Sequence, residues 1–388
     1  MAERSLIFPA REYRLRIAHL QAGMAEEGLD ALLLSMPADV FYTTGFLTRF
    51  WESPARPWFV VIPQAGDPVA VIPSIGADLM GRTWLQDIRT WDAPDPRDDG
   101  VGLLAGTLAE AVPAQGRIGV PMGPETHLRM PLAEYAGLRR RLAPRRVVDA
   151  TTCVRHVREI KSGAEIARIR EACAIAGRAF DRVPDFVQAG VPLWDVFRAF
   201  QIAILAEGAD WVSYVAGGAG PDGYGDVISP AGPQPVGDGD VLMLDTGAVK
   251  DGYFCDFDRN FAIGAASETA RRAHAALWRA TEDTLAALRP GLRACDVHRM
   301  LCDSLCRQGA TPSGGRLGHG LGVTLTEWPS FTRLDETPLR AGMVLALEPG
   351  CHTRDGRIMV HEENIVLRDD GAELLSPRAP AELPEIAP

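Results

Sequence analysis

The chain has 388 residues, 46% of them hydrophobic and 23% charged, with a formal net charge of −11. That length predicts about two domains of a globular protein. The negative balance excludes double-stranded nucleic acid as a partner, because binding there needs clustered Lys and Arg to displace counterions. The basic run Arg139, Arg140, Arg141, Arg145 and Arg146 reads as a solvated helix end.

In chain order, residues 11–28 read as a helix with Leu15, Ile17, Leu20, Met24 and Leu29 on its apolar face. Residues 31–35 form a short buried strand, and strand-like runs follow at 58–62, 69–72 and 116–120, punctuated by Gly and Pro. This alternation predicts a compact α/β domain over residues 1–157. The boundary falls at 158–166 (REIKSGAEI), where Ser162 caps a helix and Glu165 completes a capping box. That helix is expected to reach about Val187, and a second to run from Leu193 to near Gly208. Residues 217–239 are dense in Gly, Pro and Asp and read as loop. Paired strands are expected at 241–245 and 252–263, helices at 267–288 and 295–308, and closing strands at 343–348 and 359–367. The second domain thus spans 158–388, and the fold class is α/β with α+β character.

Two compositional signals concern location. Seven cysteines, odd in number and without a CxxC pair, predict no disulfide framework and a cytoplasmic protein. The opening MAERSLIFPAREYRLR lacks the apolar core of a signal peptide, and no run of ~18 apolar residues is present to span a membrane.

The chemistry concentrates in the second domain. Asp245 ends an apolar strand, and Asp256 lies on the return strand beyond a turn at Lys250-Asp251-Gly252. Two buried carboxylates that close repel unless a cation sits between them. His319 is flanked by glycines, which let the backbone approach something bulky or polar. Glu348 ends the run Val344–Leu347, and Glu362 stands between two apolar segments. Acids embedded in apolar strands are costly unless paired or metal-bound. Any one of these residues alone reads as structural; the five together point to a metal site.

The order D-x-G, G-Y-x-x-D-x-x-R, G-H-G-x-G, E-P-G, and a Glu before x-N-I-V resembles that of the creatinase/prolidase/methionine aminopeptidase superfamily, M24, with its pita-bread fold. The helix–strand opening and the hinge at 158–166 resemble the two-domain creatinase and proline-peptidase branch. The resemblance implies a creatinase-like N-terminal domain and a pita-bread catalytic domain. It implies that Asp245 and Asp256 bind one divalent ion, that Asp256, His319 and Glu348 bind a second, and that Glu362 bridges the two. The oxygen-rich donor set suits Mn, Fe, Co or Zn. Glu348 is expected to serve as general base. The family spacing to Ile365 selects Glu362 over Glu363 as the ligand.

Three positions depart from the pattern. Thr326 stands where the peptidases carry a second His, the loop before Asp245 contains no His and has Ile228 or Ser229 near the expected place, and Asp258 replaces a Thr. The expectation is therefore a metal-dependent hydrolase of a C–N bond in a small, non-standard amide or amino-acid derivative. A lyase acting on a small zwitterion, with Tyr224, Asp226 or Asp258 as base, is the alternative, followed by an Xaa-Pro aminopeptidase or dipeptidase and by a non-catalytic binding homologue. Creatinase lacks the metal acids that this chain keeps. The dimethylsulfoniopropionate lyase branch has D-x-D at Asp245–Gly247 and an acid at Leu325, so that activity is not expected. Thr326, Glu327 and Trp328 are candidates to bind a small-molecule substrate. The resemblance further implies a homodimer in which one N-terminal domain reaches the partner's site, with Arg49, Trp51, Arg56 and Trp58 as the groups to do so.

Overall fold

A computed structural model describes residues 6–51 and 57–388; Arg56 lies outside them. The chain forms two compact units, Met1–Arg158 and Glu159–Pro388.

In the first unit, helix α1 (Ala10–Glu27) ends at Gly28, whose left-handed backbone (φ 65°) stops the helix. It buries Ile17, Leu20 and Met24. There follow β1 (Ala31–Leu34), α2 (Pro37–Thr44), β2 (Phe59–Pro63), β3 (Val69–Pro73), α3 (Ala77–Met80) and β4 (Asp87–Trp91). The unit closes with α4 (Val101–Ala111), β5 (Arg117–Val120), α5 (Leu132–Leu142), β6 (Arg146–Asp149) and α6 (Thr151–Arg158). The strands make one mixed sheet in the order β4-β3-β2-β1-β5-β6, with β1 antiparallel to β2 and parallel to β5. Leu33, Phe59, Val61, Ile118, Leu104 and Leu138 pack between this sheet and helices α4 and α5. Arg139, Arg140 and Arg141 occupy the last turn of α5, where positive charge complements the exposed carbonyls.

The second unit opens with α7 (Gly163–Asp181) and α8 (Leu193–Ala206). The capping box at Ser162 forms: its side chain accepts from Glu165 N, and the Glu165 carboxylate accepts from Ser162 N. Beyond Asp181 only a single tight turn, Val183–Asp185, continues the direction of α7, because Pro184 cannot supply the next helical N–H. Strands β7 (Trp211–Pro221), β8 (Asp240–Lys250), β9 (Tyr253–Phe254) and β10 (Phe257–Ile263) come next, then helices α9 (Glu268–Ala287) and α10 (Ala294–Arg307). Nine short strands close the chain: β11 (Thr311–Pro312), β12 (Gly318–Gly320), β13 (Glu327–Ser330), β14 (Val344–Leu347), β15 (Gly350–His352), β16 (Ile358–Val360), β17 (Glu363–Arg368), β18 (Gly371–Leu374) and β19 (Glu385–Ile386).

The Gly-rich stretch from 217 onward departs from the loop expectation. Gly217 to Pro221 continue β7, paired with Leu244 to Asp240 of β8. A Cβ on Gly217 would lie 2.0 Å from the Met243 carbonyl oxygen. Here glycine serves close backbone approach within a strand rather than a turn. The strands make two five-membered sheets, β19-β10-β8-β7 with β9 appended to β8, and β13-β12-β14-β17-β18. A third, of β11, β15 and β16, packs against α9 and α10.

Candidate metal centre

Each residue of the expected set sits within or beside a strand, where the backbone ladder fixes its direction; Asp245 falls in the middle of β8, which runs on to Lys250 instead of ending at the acid as expected. Asp245 lies within β8, Asp256 just before β10, His319 in β12, Glu348 just after β14, and Glu362 just before β17. The two five-stranded sheets are tied together at this point by Asn364. Its Oδ1 accepts from Asp256 N at 2.8 Å, and its Nδ2 donates back to the Asp256 carbonyl.

Asp256, His319, Glu348 and Glu362 each offer a donor atom, all within 4.8 Å of one another. His319 Nε2 is 3.2 Å from both Asp256 Oδ2 and Glu348 Oε1. Its Nδ1 lies 2.8 Å from the Gly320 carbonyl, so Nδ1–H donates there and Nε2 is left facing the acids. Asp245 adjoins through Tyr214, whose hydroxyl is 2.9 Å from Asp245 Oδ1 and also contacts Asp256 Oδ1. One hydroxyl proton serves only one of these carboxylates.

The electrostatics favour a cation at this cluster. Burial, then the neighbouring carboxylates, drive Asp245 and Glu362 well above the usual acid range, and burial raises Asp256. Burial opposes a charge on His319, yet Glu348 and Asp256 outweigh it and carry that imidazole up to about 10. Two buried oxygens, Glu362 Oε1 and Asp258 Oδ2, have no hydrogen-bond partner. Orphaned acid oxygens are costly in a protein interior unless a cation or proton takes them. A donor set of carboxylates with one imidazole fits a divalent metal of the Mn, Fe, Co or Zn group.

The centre opens into a cavity of about 700 Å³. Its wall is largely apolar, with Val215, Val227, Met243, Leu325 and Ile358 among the lining groups, interrupted by Thr326, Arg316, His352 and Ser313. Arg316 is part-exposed, with Nε 3.9 Å from Glu348 Oε2.

The other expected site residues divide. Thr326 and Asp258 line the cavity, and so does Ile228. Tyr224 is corrected: it is 1% exposed in the core, and its hydroxyl accepts from Val360 N at 2.6 Å and donates to Asn260 Oδ1 at 3.2 Å. Asp226 is also corrected. It is an exposed turn acid that accepts from Ile228 N, Ser229 N and Ser229 Oγ, which hold it below the ordinary aspartate range. Glu327 faces inward to Lys161, with Nζ 3.0 Å from Oε2 and both side chains 1% exposed. Trp328 is buried and lies off the cavity wall. Glu363 points away from the centre, bonded to Arg259, Arg378, Ser376 and Ala379 N, while its neighbour Glu362 points in. In the first unit, Trp51 and Trp58 meet edge-on at 5.7 Å, Arg129 lies 5.2 Å over the Trp51 ring, and Arg49 is exposed.

Tyr214, Arg316, His352 and Asn364 are site groups that the sequence reading does not pick out. A β-bulge in β7 between Val212 and Val215 carries Tyr214, so strand alternation gives no guide to its direction.

Comparison with known proteins agrees with this geometry. The model of Metallopeptidase family M24 matches residues 167–369, and that of the Creatinase/Prolidase N-terminal domain matches residues 16–160. The chain is 31% identical to a probable dipeptidase PepE of Mycobacterium tuberculosis over 370 residues, 94% of each protein. The crystal structure of dipeptidase PepE from Mycobacterium ulcerans matches with a TM-score of 0.85 at 28% identity, covering 98% of this chain and 100% of that one. A prolidase from Thermococcus sibiricus shares the fold with a TM-score of 0.86 at 22% identity, covering 96% and 99%. The chain therefore belongs to metallopeptidase family M24, as a metallopeptidase-like hydrolase with a creatinase-type N-terminal domain.

Proposed function

We propose that this protein hydrolyses the C–N bond of a small, dipeptide-type substrate at a centre holding two divalent ions. The observation that carries the reading is the cluster of Asp256, His319, Glu348 and Glu362, with an orphaned Glu362 oxygen and with Asp245 on the wall of the same cavity. The relatives named dipeptidase support the peptide-like substrate. Two bound ions would supply Lewis-acid polarisation of the scissile carbonyl and lower the pKa of the attacking water.

The chain's own groups do the rest. Glu348 has a part-exposed side chain, 24%, and lines the cavity beside His319, so it is placed to take the proton of water as general base. Tyr214 and the Asn364 clamp hold Asp245 and Asp256 in place. Arg316 is placed to receive a substrate carboxylate, and the apolar wall excludes bulk water. Thr326 offers a hydroxyl at the position where the peptidases of the resembled pattern carry a second imidazole, which fits a substrate other than the usual Xaa-Pro peptides. The lyase alternative loses two of its three bases, since Tyr224 and Asp226 lie off the cavity. A homodimer and a cytoplasmic location belong to the same reading.

The test is to strip the protein of metal, restore Mn²⁺ or Co²⁺, and offer dipeptides and N-acyl amino acids in ¹⁸O-water. Release of an amine, with ¹⁸O in the new carboxylate, is the expected result. Product without label, or metal-loaded protein inert to every C–N substrate, overturns the reading. Sedimentation of the same sample measures the oligomeric state.

A further inference from the structure

Asp258 is an acid that the five-ligand set leaves unused. It is 1% exposed, and its Oδ1 accepts from Glu362 N at 2.7 Å. Its Oδ2 is buried without a hydrogen-bond partner, and the residue contributes to the wall of the metal cavity. The antiparallel register sets Asp258 directly opposite Asp245, and it stands two positions from Asp256, which lines the same cavity. Three carboxylates therefore share one patch of the β8–β10 surface, and the backbone of a fourth, Glu362, is tied to it.

Among the described residues no group hydrogen-bonds that free oxygen. The adjacent guanidinium of Arg259 donates to the carbonyls of Asp258, Glu362 and Pro377 and to the Glu363 carboxylate. The Tyr214 hydroxyl is turned to Asp245 and Asp256. A threonine, which the resembled motif carries here, is neutral and would not create the problem. The acid does create it, at a site where two other carboxylates already repel.

We propose that Asp258 is an additional protein ligand of the metal centre, binding through Oδ2 an ion shared with Asp245 or Asp256. The inference rests on the two-ion reading above. It makes the donor set five carboxylates and one imidazole. Such a set is harder and higher in coordination number than four carboxylates and one imidazole, and it favours Mn²⁺ or Fe²⁺ over the tetrahedral preference of Zn²⁺.

The experiment titrates Co²⁺ and Mn²⁺ into the metal-stripped full chain and into Asp258→Asn and Asp258→Thr, following heat and the visible spectrum of the Co²⁺ form. Asn keeps an acceptor for Glu362 N, so a merely positioning role leaves its spectrum unmoved. The expected result is two ions in the parent protein. In both variants, one of the two affinities falls at least about tenfold. The Co²⁺ absorptivity rises as the coordination number drops. Two ions bound by both variants with unchanged affinities and spectra would overturn the inference while leaving the two-ion reading intact. A parent protein that binds no ion overturns both. If circular dichroism shows Asp258→Asn unfolded, the Thr variant decides.

Discussion

Glu362 and Glu363 are adjacent, buried and acidic, yet the protein treats them in opposite ways. The Glu363 carboxylate is saturated by Arg259, Arg378, Ser376 and the Ala379 amide. Glu362 turns to the other side of the strand, toward three further ligand residues, and keeps one oxygen without a partner. Strand alternation is what separates them. One face of β17 satisfies its charge within the chain and contributes stability; the other leaves its charge open and contributes chemistry. The same contrast recurs between the buried Lys161–Glu327 pair, which is complete, and the His319 cluster, which is not.

The sharpest way to break this contrast is to remove one charge at a time. Glu362→Gln should lower metal affinity by more than about 100-fold and abolish turnover, while the metal-free fold stays as stable or gains, because a repelling carboxylate is gone. Glu363→Gln should do the reverse, costing about 3–5 kcal/mol in urea unfolding while retaining the bound metal. Metal content beside unfolding midpoints reads both; equal effects from the two substitutions would erase the distinction.

Metal removal comes next in size. Chelation should eliminate activity, and readdition of the ion at about 100 times its Kd should stabilise the fold by about 2.7 kcal/mol per site. The metal-free protein should also respond to pH. Burial pushes Asp258 up to about 7 and also raises Asp245 and Glu362 well above the ordinary acid range, so the folded state binds more protons than the unfolded one. Stability from these groups is complete below their ordinary values near pH 4 and is lost as pH climbs through about 7 and beyond. Bound metal should flatten that slope, because the ligands are then ionised in any case. Urea midpoints of the stripped and loaded protein between pH 5 and pH 8 measure it, and a stripped protein that gains stability toward pH 8 would contradict the cluster's electrostatics.

Smaller effects test the cavity wall. Arg316→Ala should raise KM about tenfold for substrates with a free carboxylate and leave their amides unchanged, as expected for loss of one charge-assisted hydrogen bond. Tyr214→Phe should be the mildest, weakening metal binding by about tenfold or less, since only a hydroxyl beside the ligands is removed. Competition with a chelating dye resolves a change of that size.

The candidate ligands were legible in the sequence because metal-binding chemistry is restricted to a few residue types, here set in short Gly-flanked or apolar segments whose order matches the resembled motif. The choice of Glu362 over Glu363 came from the spacing of the resembled motif to Ile365, and strand alternation gives the physical reason the two acids face opposite ways. Tyr224 and Tyr214 show the limit. Both are tyrosines near the metal strand, and the Gly-rich surroundings of Tyr224 suggested a substrate loop. The side chain instead closes a core in contact with Val360 and Asn260, whereas the Tyr214 hydroxyl reaches the acids from a bulge. Sequence spacing does not encode a bulge, nor which of several glycines serves a turn and which a tight strand crossing, as at Gly217. Helix α4 and strands β4 and β6 were not anticipated, and of α5 only its basic end was, for a different reason. They are short, and their burial depends on partners distant in the chain.

The carboxamide of Asn364 has one further consequence. It takes both the N–H and the C=O of Asp256, a double hold that requires a donor and an acceptor on one side chain. If β17 slipped by one residue, Glu363 or Ile365 would arrive at that position, and neither offers both. The same slip would exchange the inward and outward glutamates, pushing the ligand acid into the arginines and the paired acid into the metal pocket. Asn364 thus couples the register of β17 to the centre: a strand shifted by one residue loses both hydrogen bonds to Asp256 together with the inward-facing Glu362.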